Sequence, residues 1–110
     1  MKTHTLLMPL DMHLHLRDGV MLETVAPLTS YTFSGAIIMP NLVPPVMTKE
    51  AVVAYRERIN MAIGYNPDEP EMGNNDYFEP FMTLFYQNYD REFLEDVQDE
   101  ITAIKLYPAG

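Results

Sequence analysis

Asp11-Met12-His13-Leu14-His15-Leu16-Arg17-Asp18-Gly19 holds two of the three histidines of this 110-residue chain, two carboxylates and an arginine. It follows the apolar run Leu6-Leu7-Met8 and ends at a glycine. Leu6 to Leu16 therefore reads as a strand, with Pro9 at a place where a ladder bond must be absent. Side chains along a strand alternate with a period of two. His13 and His15 then point to one face, and Asp11 and Arg17 share that parity. Leu14 and Leu16 point to the other face, where a helix can cover them. Two imidazoles side by side at a strand end can ligate one metal ion. The competing reading is a pair of hydrogen-bonded or exposed histidines, and spacing alone does not separate the two. His4 has no such partner and reads as structural or exposed.

Outward from this stretch, Val20 to Phe33 has helical character, and Pro27 should kink or shorten it. Gly35-Ala36-Ile37-Ile38-Met39 is a short continuous apolar run, as a strand buried on both faces should be. Pro40-Asn41 ends it, and Pro44-Pro45 keeps the next turn extended. Thr48 is a good N-cap with Glu50 in the first turn. Val52, Tyr55, Ile59 and Ile63 then recur at helical spacing, and Gly64 supplies a C-terminal stop. Asn66 to Asp76 is polar and rich in Pro and Gly, hence a loop. Phe81 to Tyr86 is a third strand. Asp90 caps an acidic helix with Phe93, Leu94 and Val97 on one side. Ile101 to Tyr107 is a fourth strand, closed by Pro108-Ala109-Gly110.

Strand and helix thus alternate, which argues for βα units and a parallel sheet. An open doubly wound sheet and a (β/α)₈ barrel compete. No Gly-rich phosphate fingerprint follows the first strand, which weakens the nucleotide-binding version of the open sheet. Four strands are half a barrel, and barrels typically need roughly 250 residues. The expectation is a part of a longer protein.

Net charge is −9, and it is uneven. Gly64 to Glu100 carries eleven acids against one base, Arg91. Such a surface would repel phosphate backbones, so nucleic acid is not an expected partner; the plain reading of the acidic half is a solvated face. There is no cysteine. A disulfide framework and thiolate zinc sites are therefore excluded, which fits a reducing compartment. The early apolar run is too short for a signal segment or a membrane span, so a soluble, cytoplasmic protein with no membrane partner is expected.

Three further residues carry chemistry. Lys105 lies in the apolar run Ile101-Thr102-Ala103-Ile104-Lys105-Leu106-Tyr107. A lysine there must find a partner, shift its pKa, be modified, or reach water from an exposed edge. Asn41 ends the second strand and should project onto the same rim as the histidines, unless it is an ordinary turn residue beside proline. Arg17 offers a planar fork for a carboxylate, or a surface ion pair with Asp18 or Glu23. The nine methionines read as core filler, and Glu57, between Arg56 and Arg58, as solvated.

In chain order, "DMHLHLRDG", "IIMPNLVPPV" and "AIKLYPAG" resemble dihydroorotases of the bacterial single-enzyme type, within the metal-dependent amidohydrolase superfamily. H-x-H alone is shared across that superfamily. H-x-H-x-R-D-G with M-P-N and a K-L-Y-P lysine is far more specific. The resemblance runs from about residue 6 to 110. It implies an α/β chain forming the first four βα units of a TIM (β/α)₈ barrel, truncated after strand 4, with residues 1–110 the N-terminal part of one domain. It also implies two divalent metals, usually zinc. His13 and His15 would ligate the more buried one. Lys105 would be carboxylated by CO2 to N6-carboxylysine, whose carbamate bridges both metals. Arg17 and Asn41 would bind the carboxylate of dihydroorotate.

The implied reaction is reversible hydrolysis of dihydroorotate to N-carbamoyl-L-aspartate by a metal-activated hydroxide, in pyrimidine (UMP) biosynthesis. In the family two further histidines and a proton-shuttle aspartate complete the site. None is assignable here; the aspartate is expected beyond Gly110, and this piece alone is expected to be inactive. A homodimer is the partner the resemblance implies besides the small-molecule substrate. The alternatives are another cyclic amidohydrolase, dihydropyrimidinase-like or allantoinase-like, and a non-catalytic relative kept for assembly. Arg17 with Asn41 argues against the first. Retention of His13, His15 and Lys105 argues against the second.

Overall fold

In the computed structural model, which describes Thr3, residues 8–64 and residues 78–106, the first predicted strand is β1, Leu10–Leu14. Residues 4, 6 and 7, the predicted loop at 66–76 and the end of the last predicted strand at 107–110 lie outside the described residues. β1 is shorter than its apolar pattern. Its ladder to β2, Gly35–Ile38, slips: Asp11 pairs with Ala36 and Leu14 with Ile38, so β1 carries one extra residue there. The Asp11 carboxylate accepts the His13 backbone N–H at 2.9 Å, a bond that competes with the ladder.

The helix α1, Gly19–Thr32, begins at Asp18, whose side chain accepts from the Gly19 N–H. It runs unbroken through Pro27, which corrects the expected shortening. The carbonyl that Pro27 leaves without a donor belongs to Glu23, an exposed residue, so the lost bond falls where water can replace it. Leu22, Ala26 and Ser30 form its buried stripe at four-residue spacing. The helix α2, Lys49–Ala62, starts as its sequence predicts, with the Thr48 hydroxyl accepting from Ala51 N–H at 3.1 Å. Val52, Tyr55, Ile59 and Ile63 are all buried. α3, Arg91–Val97, is capped by Asp90 and buries Val97, while Leu94 is exposed.

The third predicted strand is two short strands, β3, Glu79–Phe81, and β4, Thr83–Phe85, on either side of Met82. The chain changes partner there. β3 pairs with β2, whereas β4 pairs with β5, Ala103–Lys105. The Thr83 hydroxyl takes the Ile38 carbonyl at the end of β2, so a side chain replaces the next backbone ladder bond. Thr102 N–H donates to the Met82 carbonyl at 2.8 Å and opens the second ladder.

Every pairing is parallel, and the strands follow one another in chain order: β1-β2-β3, then β4-β5. Among the described residues the order does not reverse, so these strands show no switch point of the kind that defines a doubly wound sheet. α1 packs on α2, which places both crossovers on one face. Between them and the sheet lies the core, with Leu16, Leu22, Ile38, Val52, Tyr55, Ile59, Leu84 and Val97 buried. Among the described residues, no helix is long and apolar enough to cross a membrane.

Candidate functional site

Parallel strands put their C-terminal ends on one rim, and the residues singled out above gather there. His13 and His15 flank the end of β1 with Leu14 between them. Leu14 is half-buried and Leu16 fully buried on the helix side, as the alternation requires. The two imidazoles converge: their Nε2 atoms are 3.0 Å apart and their ring centroids 4.9 Å apart. At 3.0 Å the two nitrogens share a ring-to-ring hydrogen bond, one N–H donating to the other ring. Two nitrogens on one tetrahedral zinc at ~2.0–2.1 Å would stand ~3.4 Å apart, so a shared cation would have to replace that proton and widen the pair slightly. The pKa of His15 is lowered, first by burial and then by the positive charges of Lys105, Arg17 and His13. That favours the neutral ring, the form that ligates metals. Among the described residues, no group of three or more His, Cys, Asp and Glu could hold a metal ion.

Asn41 stands in the loop after β2. Leu42 N–H donates to the Pro40 carbonyl at 2.9 Å, which makes Asn41 the centre of a three-residue turn. Val46 N–H also donates to Pro40, and Phe85 N–H to the Val46 carbonyl, so the loop is tied to β4. The Asn41 Oδ1 accepts from the Lys105 Nζ at 2.7 Å. Lys105 is half-buried at the end of β5, with its amine turned to this rim. The Asn41 backbone carbonyl accepts a long bond, 3.5 Å, from Arg17 Nη1.

Arg17 is placed by a turn, not by the pleat its parity suggested, because β1 has already ended. Its φ is 59°, in the left-handed region, and Gly19 follows at 58°. Asp18 does not pair with Arg17. Both of its oxygens accept from Arg58 of α2, at 3.0 Å each. Arg58 lies over the Tyr55 ring, 5.3 Å from its centroid, and the Tyr55 hydroxyl donates to the Arg17 carbonyl at 2.5 Å. Sequence reasoning took Tyr55 for core, offered Asp18 only as a surface ion-pair partner of Arg17, and gave Arg58 no role. The available signal was a tyrosine among aliphatic positions, since a buried phenol needs a hydrogen-bond partner. A separate groove of ≈ 460 Å³ between Arg56, Phe81 and Glu100 lies at the opposite, N-terminal ends of β3 and β5.

Paired imidazoles, an amide-held lysine and an arginine thus meet at the carboxyl ends of parallel strands, the end at which α/β folds hold their ligands. No family model matches the chain. It is 52% identical over 115 aligned residues to the dihydroorotase of Agrobacterium fabrum, covering 100% of this chain and 30% of that protein. Against the dihydroorotase of Cronobacter sakazakii the identity is 49%, with 96% of this chain and 29% of that protein covered. The crystal structure of Campylobacter jejuni dihydroorotase superimposes with a TM-score of 0.82 at 50% identity, over 94% of this chain and 28% of that one. That of Saccharomyces cerevisiae dihydroorotase in complex with 5-fluoroorotic acid gives 0.76 at 28% identity, over 94% and 26%. The chain belongs to the dihydroorotase family, and spans about 30% of the length of the curated relatives it matches.

Proposed function

We propose that this chain supplies the first strands of a TIM barrel, and with them one side of the metal and substrate site, in an enzyme that interconverts dihydroorotate and N-carbamoyl-L-aspartate in pyrimidine biosynthesis. The observation that carries the reading is the meeting of Lys105 with Asn41 on the rim that also holds the His13–His15 pair. His13 and His15 are the nitrogen ligands of one divalent metal, zinc being the first choice. Lys105 supplies the anionic ligand: its neutral Nζ bonds to the carbon of CO2 and releases a proton, leaving a carbamate in place of a cation. Two metals at such a site lower the pKa of a bound water and polarise the attacked carbonyl.

Arg17 and Asn41 orient the ring. The guanidinium fork matches a carboxylate. The Asn41 amide, with its oxygen on Lys105, keeps its N–H donors for the same group. The yeast relative is in complex with 5-fluoroorotic acid, a ring bearing a carboxylate, which is the class of ligand this reading calls for. The proton-shuttle aspartate is not assigned to any residue of this chain. A cytoplasmic location and a homodimer go with the same reading.

The test uses the protein as expressed, purified without chelator, with metal content, intact mass and turnover measured on one sample. Close to two metals per chain, and interconversion of the two acids followed by chromatography, are expected. His15→Ala and Lys105→Ala should each lower metal content and reduce turnover at least ~100-fold. An added mass of one CO2 on the Lys105 peptide under native conditions is the direct sign of the carbamate. A species of the chain's own 12.7 kDa is expected to be inactive. A metal-free protein of the relatives' full length, about three times that mass, without turnover would refute the reading.

A further inference from the structure

Arg17 holds a conformation that a long L-residue does not keep without outside support: φ is 59°, in the left-handed region. Its support comes from a different element. Tyr55 and Arg58, one turn apart on α2, face the β1–α1 turn. The Tyr55 hydroxyl donates to the Arg17 carbonyl. Arg58 fixes both oxygens of Asp18, the residue that caps α1. Arg58 is in turn seated over the Tyr55 ring. The backbone is thus held on each side of the Arg17–Asp18 peptide, while the guanidinium turns back to the Asn41 carbonyl. Packing alone does not call for the hydroxyl: a phenylalanine would fill the same core between Val52 and Ile59.

We propose that Tyr55, seconded by Arg58, is a positioning residue for carboxylate recognition. It sets the Arg17 backbone so that the guanidinium meets the substrate carboxylate beside Asn41. This rests on Arg17 being the carboxylate ligand of the function proposed above. Loss of the hydroxyl releases Arg17 and weakens ground-state and transition-state binding alike, a change in KM and not in kcat.

The test compares wild type with Tyr55→Phe and Arg58→Lys in the protein as expressed with its metals. The readouts are the Arg17 Cα and Cβ chemical shifts, dihydroorotate affinity by calorimetry, and steady-state kinetics. Tyr55→Phe should move the Arg17 shifts out of the left-handed range. It should raise Kd and KM roughly 5- to 10-fold, the worth of one hydrogen bond, with kcat within about twofold. Arg58→Lys, which keeps the charge and loses the bidentate geometry, should do the same to a smaller degree. In an Arg17→Ala background Tyr55→Phe should add nothing to KM. Unchanged Arg17 shifts in Tyr55→Phe, or an equal KM penalty without Arg17, would overturn the proposal and leave Tyr55 as core. A wild-type protein that neither binds nor turns over dihydroorotate would instead overturn the functional reading, and the substrate part of this one with it. The shift comparison would still decide whether the clamp exists.

Discussion

Tyr55 shows how one atom changes the meaning of a core position. The side chain is buried, and its phenol is pushed well above the ordinary value of 10.0, by burial first and by the Asp18 carboxylate second. An acid whose pKa is raised by folding stabilises the fold fully below its unfolded value, and that contribution is lost as pH rises through the folded one. The wild-type urea midpoint should therefore fall as pH rises above about 10. Tyr55→Phe should fall less over the same range, since its ring has no proton to lose. Tyr89, also raised by burial, stays in both proteins and cancels in the comparison. Equal slopes would mean that Tyr55 ionises as freely in the fold as outside it. At this same scale His13, His15, Arg17, Asn41 and Lys105 were all legible as chemistry-bearing residues. Their partners were not: Lys105 on Asn41 spans 64 positions, a contact no local pattern encodes.

Elements followed their local rules closely where capping and periodicity agreed. Thr48, the buried stripe of α2 and Gly64, with its φ of 82°, form one consistent unit. They failed where a tertiary bond overrode the pattern. The apolar run through Met82 reads as one strand, yet Thr83 and Thr102 split it between two partners. Pro27 reads as a breaker, yet packing on α2 and an exposed Glu23 let α1 continue. Gly35 in β2 illustrates a third case, a close approach invisible in sequence. A Cβ there would meet the Glu79 carbonyl oxygen at 2.7 Å and Phe81 Cε2 at 3.1 Å. The first contact is backbone and cannot turn aside. Gly35→Ala should cost roughly 1–3 kcal/mol, read from the denaturant midpoint. A neutral effect would show that β2 and β3 separate freely.

Across the whole molecule, one apolar layer joins all the crossovers. Leu84 of β4 is fully buried where the chain changes partner, in the same cluster as Ile38, Val52 and Val97. Leu84→Ala should cost about 2–5 kcal/mol. Leu28→Ala, on the 69%-exposed outer side of α1, should stay within about 0.5 kcal/mol. Similar costs at the two sites would mean that the layer is not the core. The charge is distributed at this scale too, with the acids concentrated from Gly64 to Glu100 and the cations Arg17 and Lys105 kept for the rim.

The sequence by itself determined the alternation of strands and helices, the helix caps and the residue types of the site. These follow from periodicities of two and about 3.6 and from short-range hydrogen bonds, all written within a few residues of chain. The tertiary structure alone decided the sequential, parallel order of the described strands. It alone decided the slip in β1, the split at Met82, and the bonds from α2 to the Arg17 carbonyl and the Asp18 carboxylate. Each of those depends on which distant group reaches a backbone carbonyl or carboxylate first, and that competition is settled only when the layers pack.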